Sequence, residues 1–505
     1  MERRRISRLL VANRGEIALR IIRSARVMGI RTIAVYSEAD ADSAHVAAAD
    51  EARPIGPSEP AQSYLNIAAI LEAARATNSD AIHPGYGFLS ERPEFARAVD
   101  DAGLVFVGPP GEVMAALGDK VAARRIAISS NVPVVPGVDA ADLLSARQFT
   151  SEAGFPILVK AAAGGGGRGM RVVEQEKDLE GALESASREA QAAFGDGRVF
   201  LERYLARPRH IEVQVLGDHY GRVVAIGERE CSIQRRHQKI IEEAPAPNLS
   251  DDLRSRIIDA ALRLARDAGY RNAGTFEFLV DGANFYFLEV NARLQVEHPV
   301  TELCFGRDLV CDQLEIAAGG RIADPQTARG CAIECRVNAE DASHDFRPAT
   351  GTVVHLDLPF GPGVRVDTHM RAGAVISPYY DSLIAKVICH GENRERARAR
   401  LAAALGEFSL LGVQNTAAFL RDIVMSGPFA EADLSTRFLP EFFPNWTPPE
   451  ANLRAALAAA AMVAQGALEP ANGGRSDHAI AAADGAAISQ SPWSRLGGFE
   501  LWSRR

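Results

Sequence analysis

The strongest constraint on the fold is a change of hydrophobic period, repeated through the N-terminal third of the chain. "RLLVAN" has the pattern of a strand, "GEIALRIIRSARVMG" that of a helix ended by Gly29, and "RTIAVYS" that of a strand again. "YLNIAAILEAARAT" reads as a further helix, and "DAIHPG" and "GLVFVGP" as further strands. Parallel strands need long crossovers, so this succession predicts a doubly wound parallel sheet. The turn "GPPGE" places the end of this first domain near residue 115.

Beyond it the pattern changes. After a helical linker, "AALGDKVAARRIAISS", come the short strands "FPILVK", "GMRVVE", "RVFLERYL", "HIEVQVLGD" and "GRVVAIGERE", then a helix over residues 251–268. "GTFEFLVDGANFYFLEVNARLQVEHPVTE" holds two aromatic-rich runs around "DGAN", a hairpin signal. Strands "GCAIECRVNAE", "GTVVHLDL" and "SLIAKVICHG" and the helix "NRERARARLAAALGEF" complete a second α+β region, and the chain turns Ala-rich from Thr447. The expected domains are 1–115, 116–325 with a small sheet subdomain at about 131–205, 326–446, and an Ala-rich tail at 447–505.

The glycines of "KAAAGGGGRGMRVV" decide what the second region does. Gly164, Gly166 and Gly169 match G-x-G-x-x-G, but a dinucleotide fingerprint must open a helix, and "GMRVVE" reads as a strand. No Gly-Lys-Ser or Gly-Lys-Thr follows, so a Walker loop is excluded too. What remains is a strand-loop-strand hairpin whose glycine amides can approach phosphates, with Lys160 at its base as a point charge, or else a flexible turn.

The net charge of −9 argues against general nucleic-acid binding, so positive charge for an anionic small substrate must be gathered locally. Six cysteines form no C-x-x-C pair and read as reduced thiols. No secretory core or membrane-length apolar run occurs, so a soluble, cytoplasmic protein is expected.

Three further clusters carry possible chemistry. Glu277 and Glu289 fall about opposite each other across the "DGAN" turn, and Asn291 shares the face of Glu289. Facing carboxylates repel unless a cation intervenes, and this oxygen set suits Mg²⁺ held partly by phosphates, although a charged exposed face would read similarly. "CSIQRRHQKIIEEAPAP" packs Gln234, Arg235, Arg236, His237 and Lys239 together, as a basic site or a solvated edge. In "NARLQVEHPVTE", Glu297 is a general base or half of a surface pair with Arg293, and Pro299 is expected to end any local helix.

Together these motifs resemble the ATP-grasp ligases. More narrowly, "ANRGEIALR", "AIHPGYGFLSE", "MAALGDK", "KAAAGGGGRGMRVV", "RRHQKIIEEAPAP", "GTFEFL", "QVEHPVTE" and "PYYDSLIAK" resemble biotin carboxylase, in the same order over roughly residues 5 to 445. The resemblance implies an N-terminal biotin carboxylase domain, an ATP-grasp domain with a mobile glycine lid, and a C-terminal biotin carboxylase domain. It implies a ligase that uses ATP to convert bicarbonate to carboxyphosphate and passes CO₂ to the N1′ of biotin on a carrier.

By the same resemblance Lys120, Lys160, His210, Gln234 and His237 would bind ATP, with Gly165, Gly166 and Gly167 over the phosphates. Glu202 and Leu205 in "ERYL" would form the adenine edge, and Leu279 would pack on the ring. Glu277, Glu289 and Asn291 would hold Mg²⁺, or Mn²⁺ in its place. Lys239, Arg293, Gln295 and Val296 would cradle bicarbonate, Glu297 would be its base, Arg336 would stabilise the ureido oxygen, and Tyr86 would lie against biotin. Arg20, Arg23 and Arg365 fall where bacterial members form a dimer, implying a homodimer or larger assembly.

Arg203 and Ala292 depart from the family's common residues, at positions that leave the expected ligands intact. No Met-Lys-Met biotinylation site occurs, which implies a biotin carboxyl carrier protein in trans and a carboxyltransferase subunit. The tail "SPWSRLGGFELW" resembles a piece of larger acyl-CoA and urea carboxylases, and an acyl-CoA carboxylase of acetyl- or propionyl-CoA type is expected. The competing readings are another bicarbonate-activating ATP-grasp ligase, which leaves Tyr86 and "PYYDSLIAK" unexplained, and a catalytically silent nucleotide-binding subunit.

Overall fold

The computed structural model describes residues 4–139, 143–161 and 170–464. The N-terminal alternation folds as expected. Strands β1 (Arg8–Val11), β2 (Arg31–Ser37), β3 (Glu51–Gly56), β4 (Ala81–His83) and β5 (Val105–Phe106) form one sheet in the order β3-β2-β1-β4-β5. Every pairing in it is parallel. Helix α1 (Gly15–Val27) starts immediately after β1, and Ile17, Ala18, Ile21, Ile22 and Ala25 form its buried stripe. The order reverses at β1 and β4, where loops after parallel strands leave a crevice.

The small subdomain is a four-stranded sheet of β6 (Gly137–Asp139), β7 (Ile157–Ala161), β8 (Met170–Val173) and β9 (Val199–Arg203), in the order β6-β9-β7-β8. β7 and β8 pair antiparallel with Lys160 opposite Met170, so the glycine segment joins two strands and opens no helix. Gly165, Gly166 and Gly167 lie outside the described residues.

The large sheet contains β10 (Arg209–Gly217), β11 (Val223–Arg235), β12 (Gln238–Ala244), β13 (Asn272–Asp281), β14 (Asn284–Asn291) and β15 (Cys331–Asn338). They run β14-β13-β10-β11-β12-β15, and the strands Leu383–Gly391 and Val364–Thr368 extend the β15 edge. All its pairings are antiparallel. The C-terminal strands therefore continue the sheet that carries the Glu277 hairpin. The helix Asp251–Asp267 packs its Leu253, Ile257, Ala260, Ala261 and Leu264 into the core against β10 and β11.

Contacts divide the chain into Met1–Thr447 and Pro448–Arg505, and the second unit contains the helix Glu450–Ala464. The tail motif "SPWSRLGGFELW" lies outside the described residues. Among the described residues no helix is long and apolar enough to cross a membrane.

Candidate active site

A cavity of about 750 Å³ collects residues from the loops of the N-terminal parallel sheet, from the small sheet and from the large antiparallel sheet. The loop after β1 supplies Asn13 and Arg14, the first residue of α1 supplies Gly15, and the loop after β4 supplies Tyr86. Lys160, Met170, Phe200 and Glu202 enter from the small sheet, and Arg336 and Tyr380 from the C-terminal part. Lys120, His210, Gln234, His237, Lys239, Glu277, Glu289, Asn291, Arg293, Gln295 and Val296 line it as well. Of the other expected residues, Glu297 lies behind the lining, while Leu205 and Leu279 are not lining residues; Leu279 sits opposite His210 in the sheet.

The opposed carboxylates are present, by a route the sequence does not display. The "DGAN" hairpin pairs Asp281 with Asn284, a register that would set Glu277 opposite Leu288. A one-residue bulge between Glu277 and Phe278 corrects this, and Glu277 faces Glu289. Glu277 accepts from Lys239 Nζ at 2.7 Å and Asn291 Nδ2 at 2.8 Å, and its other carboxylate oxygen lies 2.8 Å from His210 Nε2. Burial would raise its pKa, but Lys239 and His210 outweigh burial and hold it down.

Glu289 differs. It has no hydrogen-bond or ion-pair partner among the described residues, and burial, then the Glu277 charge, raises its pKa. An unpartnered carboxylate facing an ionised one is a place for a divalent cation, so the residues fit the metal the resemblance implies. His210, Glu212 and Glu277 also converge, but Lys239 already supplies positive charge among Glu212, Glu277 and Glu297.

The basic run is not a solvated edge. β11 and β12 form a tight hairpin whose turn residues Arg236 and His237 have φ of 48° and 66°, the backbone of a type I′ turn. Its strands carry Gln234 and Lys239 inward in register, while Arg235 and Arg236 turn out to Asp345. Gln234 Nε2 donates to His210 Nδ1 at 2.8 Å, so the ring carries its hydrogen on Nε2, the atom 2.8 Å from Glu277. Lys239 bonds Glu212, Glu277 and Glu297 together, which holds its ammonium charged despite burial.

Glu297 is fully buried and pairs with Lys239 at 2.7 Å and Arg336 at 2.9 Å. It is therefore no half of a surface pair with Arg293, which instead donates to Glu91 at 2.9 Å, Gln295 Oε1 at 2.9 Å and Asn291 Oδ1 at 3.0 Å. Pro299 begins a helix, His298–Phe305, and does not end one, because the first turn needs no proline N–H. Burial would raise the pKa of Glu297, but Lys239, Arg336 and Arg229 together hold it well below the carboxylate range.

On the small-sheet side Lys160 bonds to Glu202, which also accepts from Arg124 at 3.3 Å. The Glu202 carboxylate is thus engaged with two cations. Tyr86 lines the cavity, and its hydroxyl is buried with no hydrogen-bond partner among the described residues.

Several site residues escaped the sequence reading. Glu212 bonds both Lys239 and the fully buried Arg229; its signal was a charge on an inward face of the alternating "HIEVQVL" strand. Glu242 holds Arg336 at 2.6 Å, and Glu91 in "GFLSE" holds Arg293. Their partners lie far away in sequence, so no local pattern links them.

A small glycine-bearing sheet and a large antiparallel sheet enclosing a cavity of cations and opposed carboxylates define the ATP-grasp class. The family described as "Biotin carboxylase, N-terminal domain" matches residues 5–114. "Carbamoyl-phosphate synthase L chain, ATP binding domain" matches 119–324, and "Biotin carboxylase C-terminal domain" matches 334–441. The biotin carboxylase of Allochromatium vinosum is 47% identical over 440 residues, covering 86% of this chain and 98% of that protein. Human mitochondrial pyruvate carboxylase is 49% identical over 452 residues, 87% of this chain, but this chain spans only 38% of that protein's length.

Among solved structures, biotin carboxylase from Campylobacter jejuni in complex with β,γ-ATP superposes with a TM-score of 0.84 at 44% identity, covering 86% of this chain and 99% of that one. The biotin carboxylase domain of Hydrogenobacter thermophilus 2-oxoglutarate carboxylase, with MgADP, ADP and bicarbonate, gives 0.82 at 43% identity, covering 86% and 97%. The chain belongs to the biotin carboxylase family.

Proposed function

We propose that this chain is an ATP-dependent ligase that carboxylates biotin on a carrier protein, with bicarbonate as the carbon source and carboxyphosphate as the intermediate. The observation that carries the reading is the Glu297 carboxylate, fully buried with Lys239 on one oxygen and Arg336 on the other, behind a cavity that also holds the opposed Glu277 and Glu289.

Lys120, Lys160, His210, Gln234 and His237 bind the nucleotide in this scheme, with the Gly165–Gly167 segment over its phosphates. Glu277, Glu289 and Asn291 hold Mg²⁺, or Mn²⁺, which when bound neutralises phosphate charge. Lys239, Arg293, Gln295 and Val296 orient bicarbonate for attack on the γ-phosphoryl group, a step that depends mainly on positioning and charge. Glu297 accepts the bicarbonate proton. Carboxyphosphate breaks into CO₂ and phosphate, the phosphate takes the N1′ proton of biotin while Arg336 stabilises the ureido oxygen, and N1′ attacks the CO₂ with Tyr86 against the biotin ring.

The carrier would be a separate biotinylated chain, working with a carboxyltransferase subunit and within a homodimer or larger assembly. We assign acyl-CoA as the final acceptor on the likeness of the tail motif to acyl-CoA carboxylases. Pyruvate- or 2-oxoglutarate-type acceptors are the rival, because relatives at 49% and 43% identity carry those names. Identification of the biotinylated protein that co-purifies with the chain separates them. The half-reaction itself is tested by ATP hydrolysis: it should require bicarbonate and rise with free biotin, and hydrolysis indifferent to both would overturn the reading.

A further inference from the structure

The segment Gln295–Val296–Glu297 crosses the wall of the cavity, and each of its first two carbonyl groups is held by a buried side chain that does not line the cavity. His298 Nδ1 lies 2.8 Å from the Gln295 carbonyl oxygen, which also accepts the His298 backbone N–H at 3.3 Å. Lys386 Nζ donates to the Val296 carbonyl oxygen at 3.0 Å. We propose that His298 and Lys386 are positioning residues that set these two successive peptide planes and so aim the Val296 N–H at bicarbonate. The inference rests on the bicarbonate reading above.

The geometry follows from the planar trans peptide, in which C=O and N–H point in opposite directions. Fixing the Gln295 carbonyl on His298 turns the Val296 N–H to the opposite side. Fixing the Val296 carbonyl on Lys386 does the same for the Glu297 N–H. If the first plane flipped, a carbonyl oxygen would replace the Val296 donor and repel an anion. The two clamps therefore decide whether this stretch of backbone attracts or rejects bicarbonate.

Each clamp is built for one state. A carbonyl can only accept, so His298 carries its hydrogen on Nδ1. Its ring is fully buried, and Nε2 lacks a hydrogen-bond partner and stands 3.8 Å from Glu302. Burial, then the charges of Lys386, Arg20 and Arg365, keep the ring neutral. Lys386 is likewise fully buried, 3.3 Å from Glu16 on α1 and 3.8 Å from Asp367. It is the cross-strand neighbour of Arg336, so one strand pair places Arg336 on the Glu297 carboxylate and Lys386 on the Val296 carbonyl.

The test uses the full chain and two near-isosteric changes at one position. Asn at 298 can return an amide N–H to the place of Nδ1, whereas Gln carries it toward the place of Nε2. His298→Gln should raise the KM for bicarbonate by about 10-fold or more with the KM for ATP held within about 2-fold, and His298→Asn should stay near the parent. Lys386→Met should show the same selective loss; if that variant fails to fold, the His298 pair decides. Equal behaviour of the Asn and Gln variants, or ATP and bicarbonate constants rising together, would overturn the proposal. A crystal structure of His298→Gln should show the 295–296 peptide turned, and an unturned peptide would also overturn it. Parent enzyme indifferent to bicarbonate would instead sink the functional reading, while the peptide orientation would still judge the clamp.

Discussion

At Glu297 burial and charge act in opposite senses, and charge wins. Three cations keep the carboxylate ionised, so it is always in the form that can accept a proton, though less basic than a free glutamate. A proton moves to it only if bicarbonate draws on the same cations, Lys239 above all, as it binds. Replacement by Gln keeps the shape and removes the charge. Lys239 would retain Glu212 and Glu277, and Arg336 would retain Glu242, so no buried cation is left alone. Glu297→Gln should lower bicarbonate-dependent turnover by about 10²–10⁴-fold, with nucleotide affinity measured by calorimetry unchanged. Turnover near that of the parent would remove Glu297 as the base.

The loop after β4 shows how an element carries the site. His83 ends the strand and its Nδ1 accepts the Gly85 N–H at 3.0 Å, while Asn13 donates to the carbonyls of Pro84 at 2.7 Å and Tyr86 at 2.8 Å. Gly85 has φ of 65°, and a Cβ there would meet Asn13 at 2.8 Å, so the turn that presents Tyr86 needs glycine. Burial, reinforced by the Arg20 charge, pushes the His83 pKa down to about 3. Because the folded value lies below the unfolded one, this histidine contributes stability above about pH 6.5, lost at up to roughly 1.4 kcal/mol per pH unit as pH falls toward the folded value. His83→Asn, which keeps an acceptor for Gly85 but cannot titrate, should lose less thermal stability between pH 6.5 and 4.5. Parallel melting curves for the two proteins would exclude His83 as the acid-sensitive group.

The same scale shows what the sequence could reveal. Strand and helix periods foretold the parallel N-terminal sheet and the β7–β8 hairpin, because both depend on local patterning. The facing of Glu277 and Glu289 was legible only roughly, since it needs a bulge that no residue type announces. The partners of Arg293 and Arg336 were not legible, because tertiary contact joins Arg293 to Glu91 and Arg336 to Glu242. Pro299 misled for a simpler reason: proline stops a helix from within but starts one at its first turn.

In the whole molecule, chemistry and carrier recognition need not reside in the same unit. Among the described residues, every one that lines the cavity belongs to Met1–Thr447, and the eight-stranded sheet runs unbroken through that unit from the Glu277 hairpin to Val364–Thr368. If residues 448–505 serve the carrier, their contribution should appear only when the substrate is itself a protein. A chain ending at Thr447 should melt within about 2 °C of the full chain, the shift that roughly 1 kcal/mol would give. It should also keep bicarbonate-dependent ATP hydrolysis with free biotin. With the biotinylated carrier as substrate, the shortened chain should show a raised KM at unchanged kcat if the tail serves docking. Loss of the free-biotin reaction would place the tail in the catalytic machinery, and equal constants with both substrates would leave it no part in carrier recognition.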